Sequence, residues 1–386
     1  MTEVNTLNSP ICDLLGIEFP LVAFSHCRDV VVEVSRAGGM GVLGATGFSP
    51  EQLEVELNWI DERVQGMPYG VDLLIPDNMA IDESKKPGPD ELEAMVPEAY
   101  RDFVRDVLKS HDVDTDDLFA GGSISHNMAA NLQADGAEAL LDVCFQHPIG
   151  LIANALGVPP AIMLERGKAA GVPVAALVGA KEHAIKQVQA GVDILVVAGG
   201  EAGGHCGDVT TMVLVPEVHQ AIQPYGDTPI LAAGGIVTGQ QMAATMAMGA
   251  AGAWTGSVWL TTREANTSEP VKGKMLEASS RGTVRAKSRT GKFSRQLRSA
   301  WTDAWESDGA PSPLPMPLQQ LISEPALRQV DKLAEGGHEG ARQLATYWVG
   351  QGVGLMNEST SVRNVVQQFK EDYLVATERL AGFLGD

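Results

Sequence analysis

Short apolar runs recur along this chain, each followed by a stretch with helical spacing, and no other feature of the sequence restricts the fold so tightly. The runs are "PLVAF" from Pro20, "GMGVLGA" from Gly39, "YGVDLLIP" from Tyr69, "LLDVCF" from Leu140, "VPVAALV" from Val172, "VDILVVA" from Val192, "PILAAGG" from Pro229 and "AGAWTGS" from Ala251. Most are continuous rather than alternating, the pattern of parallel strands covered on both faces. Between them "RDVVVEVSRAGG" (28–39), "PPAIMLERGKAAG" (159–171), "AKEHAIKQVQAG" (180–191) and "GQQMAATMAMGA" (239–250) set apolar residues at helical intervals and run into glycine near their ends, a common C-terminal stop. Eight alternations of strand and helix predict an α/β fold of the (β/α)8 TIM-barrel type, with a doubly wound open sheet as the alternative. A chain of 386 residues is long enough for a core of that size.

Two segments break the rhythm. Residues 77–138 are long and acidic with helical periodicity in the middle, and are expected to form a helical excursion after the third strand that acts as a lid or a partner surface, such as a homodimer contact. Residues 265–345 carry a basic stripe and the Pro-rich "GAPSPLPMPL", then helices from Ile322. They are expected to form a smaller helical domain over the C-terminal face of the barrel, a substrate or lid domain, with 1–264 and 346–386 making the barrel itself. The closing "STSVRNVVQQFKEDYLVATERLAGFL" reads as an amphipathic helix with Ser361 as N-cap. No repeat of solenoid length is present.

Lys plus Arg number 28 against 49 Asp plus Glu, and this net charge of −21 opposes general affinity for nucleic acid or an anionic membrane. No run approaches the roughly 18–20 apolar residues of a membrane span. The polar start "MTEVNTLNSP" has no secretory pattern, so a cytoplasmic location is expected. Cys12, Cys27, Cys144 and Cys206 stand far apart with no CxxC pair, so neither a metal site nor a disulfide framework is expected. Against the overall acidity, nine basic residues and one acid lie between Lys272 and Arg298. Such a stripe is either a solvated helix face with some ion pairs or a dock for an anionic substrate tail, with Arg285 and Lys287 as its candidates.

In a barrel of this kind the site lies at the C-terminal ends of the strands, and phosphate is commonly held after the seventh and eighth. "AAGGIVTG" (232–239) follows the seventh run and opens a helix, so amides around Gly234 and Gly235 can face a phosphate. "WTGS" (254–257) adds a second set of amides and the Ser257 hydroxyl. The Gly-rich "GGEAGGHCGDVTTM" (199–212) follows the sixth run and holds His205, a proton-transfer group near neutral pH or else a loop histidine bonded to carbonyls. His26 and Cys27 after the first run, and Gln146 and His147 after the fourth, are expected to face the same mouth as substrate contacts or as loop packing.

"GGEAGGHCGDVTTMVLVPEV" followed by "PILAAGGIVTGQQMAATMAMGAAGAWTGSVWLTT" resembles the nitronate monooxygenase family, formerly 2-nitropropane dioxygenase, which also includes flavin-dependent enoyl-ACP reductases and NADH:quinone reductases. The likeness extends through "LLGIEFPLVAF", "AGGMGVLGAT", "YGVDLLIP", "RTGKFSRQLRSAW" and "GQGVGL". It implies FMN in a (β/α)8 barrel, with His205 as catalytic acid/base. The cofactor contacts it implies are Asp72, Ala198, Gly203, Gly235, Trp254, Thr255, Gly256 and Ser257, with Gln351 near the isoalloxazine. Departures from the family pattern are Asp72 in place of Asn, Ala198 in place of Gln, and "AFSHC" in place of a Gln or Met motif.

The resemblance implies oxidation of a nitronate with O₂. An alternative runs reductively, NAD(P)H reducing the flavin and an enoyl thioester (acyl-CoA or ACP) or a quinone accepting hydride. A third reading is a flavin-binding protein without catalysis.

Overall fold

The computed structural model describes residues 9–75, 89–119 and 134–384. Eight parallel strands close into a barrel: β1 (Leu21–Ser25), β2 (Met40–Gly44), β3 (Tyr69–Leu73), β4 (Leu151–Asn154), β5 (Val174–Val178), β6 (Ile194–Ala198), β8 (Ile230–Ala233) and β9 (Gly252–Thr255), in that order round the ring. The seam pairs β1 with β9 in the register Leu21↔Ala253, Val22↔Trp254 and Ala23↔Thr255. The strands are largely apolar because both faces are covered. Val22, Val42, Ala153, Ala175, Val196 and Leu231 fill the inside of the ring, and the intervening residues pack outward on the helices. On the helix Pro50–Arg63, for example, Leu53, Leu57 and Ile60 are fully buried, each contributing roughly 1.5–3 kcal/mol of transfer free energy. Ser49 starts that helix through a capping box with Gln52.

Seven of the eight apolar runs hold barrel strands, and the fourth is a helix. "LLDVCF" lies in and just past the helix Ala134–Cys144, where Ala137, Leu140, Leu141 and Cys144 are buried at i, i+3, i+4 and i+7 spacing. The true fourth strand is the short Leu151–Asn154. The eighth helix position is filled from the far end of the chain by Val362–Ala381, whose Ser361 side chain accepts from the Asn364 amide. It packs so closely on the helix Gly239–Ala247 that a Cβ at Gly239 would stand 2.0 Å from the Phe369 carbonyl oxygen.

The segment 265–345 is not purely helical. It contains a hairpin of β10 (Thr283–Ala286) and β11 (Ser294–Leu297), which captures the two-residue β7 (Gly204–His205) as a third antiparallel strand. Helices Glu269–Glu277, Ala300–Glu306, Leu318–Glu335 and Glu339–Leu344 surround this sheet. The basic stripe is therefore mostly hairpin, and the helix-face reading fails there because alternating Arg and Lys side chains follow a strand period. Much of the acidic excursion lies outside the described residues. Its described part, with helices Pro89–Ala94 and Glu98–Lys109, docks on that segment: the Tyr100 hydroxyl donates to the Ser312 carbonyl at 2.9 Å, and Phe103 meets Trp305 edge-on at 4.8 Å. No helix among the described residues is long and apolar enough to cross a membrane. The four cysteines are unbridged, and no described cluster of His, Cys, Asp and Glu could hold a metal ion.

Candidate active site

A cavity of about 320 Å³ opens at the C-terminal ends of the barrel strands. Its wall brings together Asp72 from β3, Ala198 from β6, Gly203 and His205 from the Gly-rich stretch, Gly234 and Gly235 after β8, and Trp254, Thr255, Gly256 and Ser257 at the end of β9. Residues distant in sequence meet there because parallel strands all release their chain at the same rim.

The turn after β8 is shaped for close approach. Gly234 has φ +100°, and a Cβ there would stand 2.8 Å from Thr211 Oγ1 and 2.9 Å from the Gly199 carbonyl oxygen. Thr238 and Gln241 form a capping box on the helix that follows, and Gln241 Oε1 takes the Val237 amide at 2.9 Å. The amides of Gly235 and Ile236 are left without a hydrogen-bond partner among the described residues, as are those of Gly256 and Ser257. A Cβ built on Gly256 would meet no protein atom within 4 Å, so it would project into the cavity. Free amides on two adjacent strand ends, one beside a helix N-terminus, form a donor set suited to a phosphate. The Ser257 hydroxyl accepts from the Gly350 amide at 2.8 Å and retains its own hydrogen for a ligand.

Side chains of Trp254 and Thr255 serve the barrel itself. Trp254 stacks on Phe24 with centroids 6.4 Å apart, and Thr255 Oγ1 donates to the Val22 carbonyl.

His205 stands on β7, opposite Ser294 of β11, and is exposed toward the cavity. The Gly-rich approach lets the chain cross under the segment 347–352: a Cβ at Gly203 would lie 2.8 Å from the Gly350 amide nitrogen. Arg295 fixes the crossing by donating from Nε and Nη2 to the Gly200 carbonyl at 3.0 and 2.8 Å. His205 Nε2 lies 2.9 Å from Thr290 Oγ1, which donates its hydrogen to the Lys292 carbonyl at 3.1 Å. With that hydrogen engaged, Thr290 accepts from His205 Nε2–H, and Nδ1 is the basic nitrogen. Desolvation by the surrounding protein, followed by the nearby Lys292 ammonium, lowers the imidazole pKa below its ordinary value. The shift favours the neutral ring, the form able to accept a proton.

Other expected positions fall differently. His26 lines the cavity, its Nδ1–H donating to the Gly44 carbonyl at 2.9 Å, and Cys27 lies beside it. Gln351 is not on the wall; its neighbour Gly352 is, because the turn Gln351–Leu355 presents its glycine to the mouth. His147 and Gln146 precede β4 and so belong to the opposite, N-terminal end of the barrel. There His147 bridges Asp61 and Glu54 at 2.6 and 3.1 Å. Their expected place at the mouth followed from taking the preceding helix for a strand.

Arg285 and Lys287 also lie off the wall, on the hairpin beside it. Both sit over the half-exposed Phe293 ring, at 4.5 and 4.8 Å from its centroid. Lys272, Arg289 and Arg298 are ion-paired, while Lys274 donates to the carbonyls of Arg342, Gln343 and Ala345. Arg285, Lys287 and Lys292 have no ion-pair partner among the described residues. Thr290 and Lys292 lie within "RTGKFSRQLRSAW", a stretch of the family likeness, but their place beside His205 emerges only from the pairing of β7 with β11.

The family model for nitronate monooxygenase matches residues 8–372. Rv1533 of Mycobacterium tuberculosis, whose name assigns it provisionally to the monooxygenases, is 47% identical over 383 residues, covering 98% of this chain and 100% of that one. A Staphylococcus saprophyticus protein named as a probable nitronate monooxygenase is 26% identical, covering 95% of this chain and 98% of its own. Among solved structures, nitroalkane oxidase from Streptomyces ansochromogenes shares the fold with a TM-score of 0.75 at 22% identity, covering 96% and 99% of the two chains. FabK from Thermotoga maritima does so with a TM-score of 0.70 at 23% identity, covering 98% and 100%. With the family model spanning nearly its whole length, the chain belongs to the nitronate monooxygenase family, a family of oxidoreductases.

Proposed function

We propose that this chain is an FMN-dependent oxidoreductase of the nitronate monooxygenase type that oxidises nitronates with O₂. The observation that carries the reading is the juxtaposition, on one cavity wall, of unpartnered amides at Gly235, Ile236, Gly256 and Ser257 with the neutral imidazole of His205. The donor set and the open space at Gly256 fit a phosphate-bearing flavin, which would supply the redox chemistry that no side chain here can. The protein binds the phosphate end through main-chain donors. Apolar Ala198, Leu177, Val196 and Trp348 exclude water from the wall. His205 takes or returns a proton at Nδ1 while Thr290 holds Nε2.

The purified protein should be yellow, bind FMN, and consume O₂ with propionate nitronate. His205→Asn should keep the colour and lose about 10²–10⁴-fold in turnover of a neutral nitroalkane, whose α-proton has to be removed to give the nitronate, the usual contribution of general acid–base catalysis. A colourless protein that takes up no FMN would overturn the reading. Stoichiometric FMN without turnover on any substrate would instead indicate a flavin-binding protein.

A reductive reading has one specific support, the three cations Arg285, Lys287 and Lys292 beside the mouth of an otherwise acidic molecule. Such a cluster suits the phosphates of NAD(P)H or of an acyl thioester. Bleaching of the flavin by NADH without oxygen, followed by recovery on adding an enoyl-CoA or a quinone, would favour it over nitronate oxidation.

A further inference from the structure

Asp72 is the only carboxyl on the cavity wall among the described residues, and no cationic side chain among them lines that wall beside it. It is 4% exposed, and its Oδ1 has no hydrogen-bond partner. Its strand neighbours in register are Gly44 on β2 and Ala153 on β4, neither of them titratable. The face of Gly44 is covered from β1 by the rings of Phe24 and His26, both within 2.7 Å of where a Cβ would be. The other titratable groups on the wall are His26, Cys27, His205 and Tyr347, and no lysine or arginine is among them. His26 has committed its Nδ1–H to the Gly44 carbonyl.

Burial without a cation nearby pushes the Asp72 pKa well above the ordinary carboxylate value. Burial without a counter-charge favours the neutral form, and a neutral carboxyl is a hydrogen-bond donor. The free amides lie at the ends of β8 and β9, and Asp72 lies three strands on round the ring, through β1 and β2 to β3. Both places line the same cavity.

We propose that Asp72 stands in this cavity as an uncharged carboxylic acid that donates a hydrogen bond to an acceptor on the ring end of the bound flavin, so that its proton is part of the cofactor site. The inference rests on the flavin reading above and adds a residue whose charge state that reading does not specify. It explains why an acid is tolerated with no cation nearby: the flavin's carbonyl and ring-nitrogen acceptors complete a hydrogen bond that the protein leaves open. A carboxylate at the same place would repel those acceptors.

The test is infrared difference spectroscopy of the full chain carrying isotope-labelled aspartate, at pH 7, with and without FMN. The carbonyl stretch of a protonated carboxyl should be present, move to lower frequency on FMN binding, and be missing in Asp72→Asn. In parallel, Asp72→Asn should bind FMN within about threefold of wild type because an amide also donates, whereas Asp72→Ala should bind about tenfold more weakly. A missing carboxyl band, a band unmoved by FMN, or an Asp72→Ala protein that binds as well as wild type would overturn the proposal. Failure of the wild type itself to take up FMN would count against the flavin reading, which keeps the two failures apart.

Discussion

Thr290 Oγ1 accepts from His205 Nε2–H at 2.9 Å because its own hydrogen is directed to the Lys292 carbonyl. A two-residue strand and a four-residue strand thereby fix which imidazole nitrogen is free. Replacing Thr290 by Val keeps the shape and removes the acceptor, so His205 loses its fixed tautomer and ring orientation. Turnover should fall about tenfold, the equivalent of one good hydrogen bond, while FMN affinity stays the same. Thr290→Ser should restore most of the rate. Long-range nitrogen–proton NMR of the resting protein checks the cause directly: wild type should show the Nε2–H form and Thr290→Val a mixture. Equal rates for wild type and Thr290→Val would remove Thr290 from the mechanism.

Gly234 and Gly256 lie on the same wall for different reasons, and alanine separates them. At Gly234, φ is +100° and the space is filled by Gly199 and Thr211, so Gly234→Ala should destabilise the fold by about 1–3 kcal/mol. At Gly256, φ is −131° and no protein atom is within reach, so Gly256→Ala should melt like wild type. Its methyl group would occupy ligand space instead, and FMN affinity should drop about tenfold or more. Thermal melts of the FMN-free proteins and FMN titrations measure the two effects. A Gly256→Ala protein with unaltered FMN affinity would show that the ligand does not use this part of the wall.

Seven barrel strands can be read from sequence because a strand covered on both faces leaves a nearly continuous apolar run, as in "ILVVA" from Ile194. The fourth cannot be read as easily. "LLDVCF" is as apolar as the rest, and its helical spacing emerges only when Ala137 is included. β10 and β11 are "TVRA" and "SRQL", too polar and too short to stand out, and β7 is two residues long. Gly234, Gly235 and Gly256 are legible since each follows closely on a recognisable strand, and His205 since it stands in the Gly-rich stretch that begins after β6. Thr290 and Lys292 fall in the quoted stretch "RTGKFSRQLRSAW", but their approach to His205 is not legible there, because long-range antiparallel pairing rather than local pattern brings them together. Asp72 is readable as an oddity in a strand, but its unanswered charge becomes visible only when its surroundings are known.

Arg285 and Lys287 flank Phe293 without acidic partners among the described residues, which suits a polyanion in a molecule of net charge −21. Replacing both by Glu should raise KM for an acyl-CoA or NADPH about tenfold or more, with an effect that shrinks as salt is added. Neutral quinones and simple nitronates should react at unchanged rates, since neither residue lies on the cavity wall. Steady-state kinetics with one substrate of each kind decides the matter. Equal losses on both kinds would mean that the substitutions disturb the hairpin, not an anion dock.

At the other end of the barrel, His147 ties the helix Pro50–Arg63 to the loop before β4 through Asp61 and Glu54, and Asp61 also accepts from the Tyr69 hydroxyl at 2.6 Å. Burial alone would lower the imidazole pKa, but the hydrogen bonds and charges of Asp61 and Glu54 outweigh it, and the pKa is raised. A histidine whose folded pKa lies above its unfolded value binds its proton more tightly in the folded state. Its contribution to stability is complete below the unfolded pKa of about 6.5 and is lost as pH rises through the folded value. His147→Gln should therefore lower Tm most at pH 6, where losing the charged hydrogen bonds costs about 1–3 kcal/mol, and less at pH 9. Flavin content and turnover should not change, because the cluster is remote from the mouth. A Tm gap between wild type and His147→Gln that is the same at both pH values would show that the imidazole is not protonated in the folded protein.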